Sequence, residues 1–235
     1  GVVGINGFAY DFGGNGANPS TGGDNVEIPS KFATLSDGSA FSVSYWVKDD
    51  SNGQSSRIMN TASDSGGTTG FMLAHNSDGS LGIYIKESGS MKISPDVSSV
   101  FTDNAWHHHA ITYDGTDMNF YLDTSLEQTT SASWTGSGTP DEDMTLGKRV
   151  DNSRYLDGQL DEMSFWDRAL SVEEVAVLYS NKNLQDLPTI TVSTESTELG
   201  IEDSSGLHDI EGGLVTSTIT ELVTQSGAVT WDPET

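Results

Sequence analysis

Short runs in which apolar and polar residues alternate, each closed by Gly, Asn, Asp or Ser, dominate the chain and constrain its fold more than any other feature. Phe41-Ser42-Val43-Ser44-Tyr45-Trp46-Val47 places Phe41, Val43, Tyr45 and Val47 on one face of a half-buried strand. Gly70 to His75 and Leu81 to Lys86, separated by Asn76-Ser77-Asp78-Gly79, read as a hairpin. A second pair, Trp106 to Tyr113 and Met118 to Asp123, surrounds Asp114-Gly115, and a further strand runs over about Gln159 to Trp166. Many strands joined by short polar turns, with no alternating helices, predict an all-β antiparallel sandwich or jelly roll.

One segment departs from this period. Ser171-Val172-Glu173-Glu174 is a capping box, and Val172, Val175, Val177, Leu178 and Tyr179 supply an apolar stripe, so one short helix is expected to follow the last strand and end near Asn181. Leu187-Pro188 then marks a boundary. From Asn183 to Thr235 there are ten acidic residues and no Lys or Arg, amid Thr/Val/Ile alternation. The expected organisation is therefore a jelly-roll domain over 1–182 and a small acidic β appendage, or the start of a second domain, over 183–235. Such an appendage has little core of its own and could pair with another chain.

Charge and cysteine content narrow the chemistry. With 35 Asp and Glu against ten Lys and Arg, the 235-residue chain carries a formal charge of −25. A surface of that sign repels phosphate backbones and anionic membranes, so no nucleic-acid partner and no membrane insertion are expected. The chain has no Cys, which removes disulfides, thiolate zinc sites and cysteine nucleophiles and leaves oxygen or imidazole to hold any metal. No apolar run approaches the ~20 residues of a membrane span. The opening Gly1-Val2-Val3-Gly4 lacks Met and a basic leader, and reads as a piece of something longer. Acidity together with abundant Ser, Thr, Asn and Gly suits an extracellular, cell-surface or virion setting.

Four blocks stand out over roughly residues 5 to 182: Ala9-Tyr10-Asp11-Phe12-Gly13-Gly14 leading to Asp24-Asn25-Val26-Glu27-Ile28-Pro29; Phe41 to Val47; Trp106-His107-His108 with Ile111-Thr112-Tyr113-Asp114-Gly115; and Leu156 to Glu162 followed by Trp166-Asp167-Arg168-Ala169-Leu170-Ser171. Together they resemble the laminin-G-like, pentraxin-like domains of the concanavalin-A-like lectin/glucanase superfamily. The family usually has a strand before the first block, for which this chain has almost no room; either a piece is missing or the appendage completes the sheet. The resemblance implies a structural Ca2+ between the early loop and the last strand, with Asp24 and Asp161 as ligands and Gly22 or Gly23 offering a carbonyl. The competing reading makes Asp24 a turn residue and pairs Asp161 with Arg168.

Catalytic sets are missing from the sequence. A retaining glycosidase needs two carboxyls ~5 Å apart on one strand face, yet Asp161 and Glu162 are adjacent, and Asp141 with Asp143 lies in a Gly/Pro-flanked turn. Neither a nucleophile elbow nor a phosphate loop is present, and the chain is expected not to be an enzyme. His107 and His109 share a strand face without a third imidazole nearby, which favours a core or surface role over zinc.

By resemblance, sugar binding remains. It needs an aromatic platform with a few polar partners, for which Trp134 and Tyr155, with Arg149 and Asn152 and the neighbouring Arg154, are the best-placed candidates, while a core role is the favoured competing reading for both aromatics. The expected function is a non-catalytic, calcium-stabilised glycan-binding or adhesion module of a larger exported or virion surface protein. The alternative is a structural assembly protein, such as a phage decoration or fibre protein or a surface filament subunit, whose appendage makes self-assembly contacts.

Overall fold

The computed structural model describes residues 2–5, 7–13, 23–29, 35, 37–49, 55–62, 68–93, 95–98, 103–131, 140, 142–181 and 229–230. Within them the chain forms two antiparallel sheets and one helix, the predicted jelly-roll sandwich. The strands are β1 (Val2–Val3), β2 (Phe8–Asp11), β3 (Val26–Ile28), β4 (Phe41–Asp49), β5 (Ser56–Asn60), β6 (Gly70–His75), β7 (Leu81–Glu87), β8 (Ser90–Ile93), β9 (Asp96–Val97), β10 (His107–Tyr113), β11 (Asp117–Leu122), β12 (Ser125–Ser131), β13 (Met144–Leu146), β14 (Gly158–Trp166) and β15 (Val229–Thr230); the helix α1 spans Val172–Asn181.

The first sheet has the order β1-β2-β14-β4-β10-β11-β12, and the second β3-β13-β5-β6-β7-β8, with β9 also on β7. Between them lies one apolar core, to which alternate residues of both sheets contribute: Phe41, Val43, Tyr45 and Val47 from β4, Ile111 and Tyr113 from β10, and Phe71, Leu73, Leu81, Ile83 and Ile85 from the facing hairpin. Burial of these side chains drives the two sheets together at ~25 cal/mol per Å² of apolar surface.

Strand β4 is buried on both faces rather than half-buried. Its second face, Ser42, Ser44 and Trp46, lies under α1: Trp46 stacks on Tyr179 with ring centroids 5.3 Å apart, and Val175 and Leu170 close a smaller cluster with Ala110, Tyr121 and Trp166. The capping box forms as its spacing predicts, with Ser171 N donating to Glu174 Oε2 at 2.8 Å and Glu174 N to Ser171 Oγ at 3.3 Å. Arg168 forks onto the same carboxylate, Nη1 to Oε2 at 2.7 Å and Nη2 to Oε1 at 2.6 Å.

Among the described residues the register shifts at four strand pairs, and one of these breaks lies in β14. Its register with β4 shifts between Asp161 and Ser164, and Glu162 has φ +50°; the extra residue of this bulge returns Met163 to the core three positions after Leu160. The outer edge of β14 is shared, β2 pairing opposite Gln159 and Leu160 and β15 opposite Ser164 and Phe165. Part of the C-terminal region thus completes the first sheet, and β15 belongs to the same compact unit as residues 1–186. The rest of 183–235 lies outside the described residues.

Candidate functional site

The outer face of the second sheet carries an open pocket of about 380 Å³ lined by Ser55, Arg57, Met72, Asn76, Tyr84, Lys86, Met91 and Arg154, a size within the ~300–1,000 Å³ range of small-ligand sites. Sheet register builds it. Arg57 on β5 stands opposite Ala74 on β6, Ala74 opposite Gly82 on β7, Met72 opposite Tyr84, and Lys86 opposite Met91 on β8. Because strand residues alternate faces, the neighbours that fill the core, Leu73, Ile83 and Ile85, force Met72, Ala74, Gly82, Tyr84 and Lys86 outward.

Gly82 decides the shape of the floor. A Cβ at this position would collide with the Tyr84 ring and hydroxyl, so the absent side chain is what allows the tyrosine to lie down along the sheet. Its hydroxyl is anchored at the far end, donating to Asp96 Oδ1 at 2.8 Å, while Asn76 Nδ2 approaches the same carboxylate oxygen at 3.1 Å and Ser80 Oγ at 3.0 Å. Burial, reinforced by Asp96, raises the Tyr84 pKa despite the opposing charge of Arg57, so the ring is a neutral phenol.

Three cations surround this ring. Arg57 and Lys86 are almost buried, and Arg154 reaches the pocket from the loop before β14. That loop is tightly formed: Arg149 N donates to Ser153 O at 2.8 Å, Asn152 N to Arg149 O at 3.0 Å, and Arg57 N to Arg154 O at 3.0 Å. Asn152 and Arg154 both adopt left-handed backbones, φ +59° and +53°, a local cost that the surrounding bonds sustain. None of the described residues lining the pocket is a carboxylate.

The residues singled out by sequence are distributed differently. Tyr155 is buried against Gly23, where a side chain would meet its Cβ at 2.9 Å. Arg149 donates through Nε to Asp151 Oδ1 at 2.8 Å, which holds the Asp151 carboxyl down at about 2. Asn152 Oδ1 accepts from Lys148 Nζ at 2.9 Å, and Lys148 also pairs with Glu27 at 2.7 Å; both line a second pocket with Glu142 and Asp143, whose buried cation is already neutralised. Trp134 lies outside the described residues. Arg57, Asn76, Tyr84 and Lys86 were missed, because what joins them is the pairing of three strands, one of which, β5, lacks the alternation that marks the others.

Asp161 is buried, with Oδ2 accepting from Ile5 N at 2.8 Å and Oδ1 from Glu162 N at 2.9 Å, and with no room at Gly4 for a side chain. Asp24 stands by Gly13 and by Tyr10, whose phenol is raised by burial and by the Asp24 charge. Arg168 takes Glu174 as its carboxylate. Among the described residues no three His, Asp or Glu side chains are arranged to hold a metal. None of their helices is long and apolar enough to cross a membrane.

Comparison with known proteins agrees with this architecture. The solved structures similar to it include the carbohydrate-binding module CBM40 of the Ruminococcus gnavus IT-sialidase, bound to α2,3-sialyllactose, at 15% identity and TM-score 0.53 over 66% of this chain and 96% of that one. A botulinum neurotoxin type C structure, described by cell entry dependent on two ganglioside molecules, aligns at 18% identity and TM-score 0.53 over 70% of this chain and 42% of that one. The binding domain of botulinum neurotoxin DC in complex with rat synaptotagmin II aligns at 15% and 0.53, over 75% and 44%. This chain thus spans less than half the length of the toxin chains, and identities this low establish the fold alone. No curated protein matches. A family model described as the concanavalin A-like lectin/glucanases superfamily, of laminin-G type, matches residues 20–176, and the chain belongs to that family.

Proposed function

We propose that the chain is a non-catalytic glycan-binding module serving adhesion or surface recognition, and that its sugar site is the open pocket on the outer face of the second sheet. One observation carries this reading: an aromatic ring laid flat over Gly82, flanked by an amide and three cationic donors in a single open depression. A pyranose presents an apolar face edged with hydroxyls, and such a platform with a few directional donors matches it. The bound sugar and the ganglioside dependence of the similar structures support the reading by analogy of fold. An extracellular setting, on a cell or virion surface, is part of the same proposal.

Retention of the purified chain on a panel of immobilised glycans, in calcium and in EDTA, tests it. Tyr84→Ala is expected to weaken the retained glycan at least tenfold, about 1.4 kcal/mol, in a chain that still melts cooperatively. Failure of every glycan to retain the chain would contradict the reading. Calcium is a separable part of the proposal: a ligand role for Asp24 and Asp161 predicts a melting temperature that rises with calcium and stops responding in Asp161→Asn. A melting temperature that falls equally in that variant with and without calcium would contradict the ligand role of Asp161.

A further inference from the structure

We infer that β15 is an exchangeable strand: the edge of β14 at Ser164 and Phe165 receives Val229–Thr230 of its own chain in dilute solution and the same strand of a second copy when the protein is concentrated. This self-assembly edge lies on the first sheet, whereas the sugar site lies on the second.

The edge is a short slot because β14 is bulged. β2 pairs with β14 only at Gln159 and Leu160, and the register of β14 on β4 breaks between Asp161 and Ser164. Beyond the break β14 continues through Ser164, Phe165 and Trp166, all buried and all paired to β4 on the other side. Without a further strand, the outward N–H and C=O groups of this stretch would form an open edge, a template that a short extended segment can complete. The β1–β2 connection closes the slot at its near end: Gly4 N donates to Gly7 O at 3.1 Å, and Ile5 N is anchored on Asp161 Oδ2 at 2.8 Å. What fits is a very short strand, and β15 has two residues, opposite Ser164 and Phe165.

The strand that fills the slot does not come from a neighbouring element. α1 ends at Asn181 and β15 begins at Val229, and the compact unit that contains both is made of residues 1–186 and 227–235. A hairpin strand is held to its own chain by its turn. A strand that returns over roughly 50 residues is not, because closing so long a connection leaves an effective concentration that a second copy can match at millimolar protein. The pairing is the same within one chain or between two, which is the condition under which identical elements exchange. Charge along the sequence suits the exchange as well. Leu222 to Trp231 carries no charge, although Glu221 and Asp232 flank it and the chain as a whole carries −25. The strand can therefore pass to a second copy without bringing an acid into the shared edge, while the net charge of the two chains opposes their approach and makes the exchange depend on salt.

The test uses the full chain, which has no Cys. Ser164 and Thr230 are cross-strand partners, so a chain with Ser164→Cys and a second with Thr230→Cys can form the 164–230 disulfide only between copies. Mixed at 0.5 mM under mild oxidation, they are expected to give this heterodimer severalfold above the 164–164 and 230–230 homodimers, more at 300 than at 50 mM salt, and less in the presence of excess synthetic peptide of residues 222–235. The double variant at 5 µM should instead close within one chain. Sedimentation of the unmodified chain from 5 µM to 1 mM gives a readout free of disulfide geometry: a monomer that becomes a dimer or larger oligomer, and that stays monomeric when Val229→Pro and Thr230→Pro together remove the amides of the strand. Thermal melts confirm that the proline variant folds. No excess heterodimer, with a monomer at every concentration, would confine β15 to its own chain and overturn the inference. Oligomers that the proline variant retains, or a heterodimer that the peptide leaves unchanged, would place the contact elsewhere and overturn it as well.

Discussion

Three consecutive histidines on β10 experience three different environments, and their titration sets how this fold responds to acid. His109 lies in the core with Nδ1 3.1 Å from the Tyr45 hydroxyl and its ring edge-on to Phe120; burial pushes its pKa well below the ordinary imidazole value. His108 faces the helix side, with Nε2 2.7 Å from Ser44 Oγ, and burial lowers it to about 4. Both are neutral when folded and free to protonate when unfolded, so the unfolded chain binds more protons below pH 6.5 and stability falls as pH drops from there toward 4. For His108 alone the loss is of order 3 kcal/mol. His107 has the opposite sign: burial opposes its charge, but bonds to Asp123 at 2.6 Å and Asp103 at 3.0 Å outweigh it and raise the pKa. Its contribution is full below 6.5 and is lost as pH rises through the folded value. Thermal melts from pH 8 to 4 are expected to show a net fall that is shallower in His109→Phe, and an equally steep fall in that variant would contradict the burial argument.

At the scale of elements, the connection from β14 to α1 is held by one buried hydroxyl. Ser42 Oγ donates to Arg168 O at 2.8 Å and accepts from Leu170 N at 2.9 Å, tying the turn ahead of the helix to the outer face of β4. Ser42→Ala strands both backbone groups and is expected to cost about 1–3 kcal/mol in denaturant unfolding; a change below a few tenths would mean that the helix is docked by Trp46, Val175 and Leu178 alone. The strands expected at 70–75, 106–113 and 118–123, together with the capped helix, occur within a residue or so of their predicted bounds, because there local period and tertiary burial agree. The polar strand β12, with Ser125-Leu126-Glu127-Gln128-Thr129-Thr130-Ser131, and the short β13 are not legible that way: one is an exposed edge and the other three residues fully buried between neighbours. The candidate site was less legible still. In the sequence Arg154 stands beside Tyr155, and no strand period brings it to the pocket that Arg57, Tyr84 and Lys86 line; the bulge at Glu162 shows how one residue ends the alternation on which such reasoning depends.

For the whole molecule, the two sheets divide the labour. The first is covered over its centre by α1, and its β14 edge is completed by β2 and β15, while the second carries a tyrosine-floored pocket on its outer face. Backbone-amide NMR of the full chain, titrated with whichever glycan retains it most strongly, tests the central claim most directly. The account predicts saturable shift changes confined to Arg57, Met72, Asn76, Tyr84, Lys86, Met91, Arg154 and their strand neighbours. Changes centred instead on the Lys148 to Asn152 loop, or on the first sheet, with these positions unmoved, would contradict it.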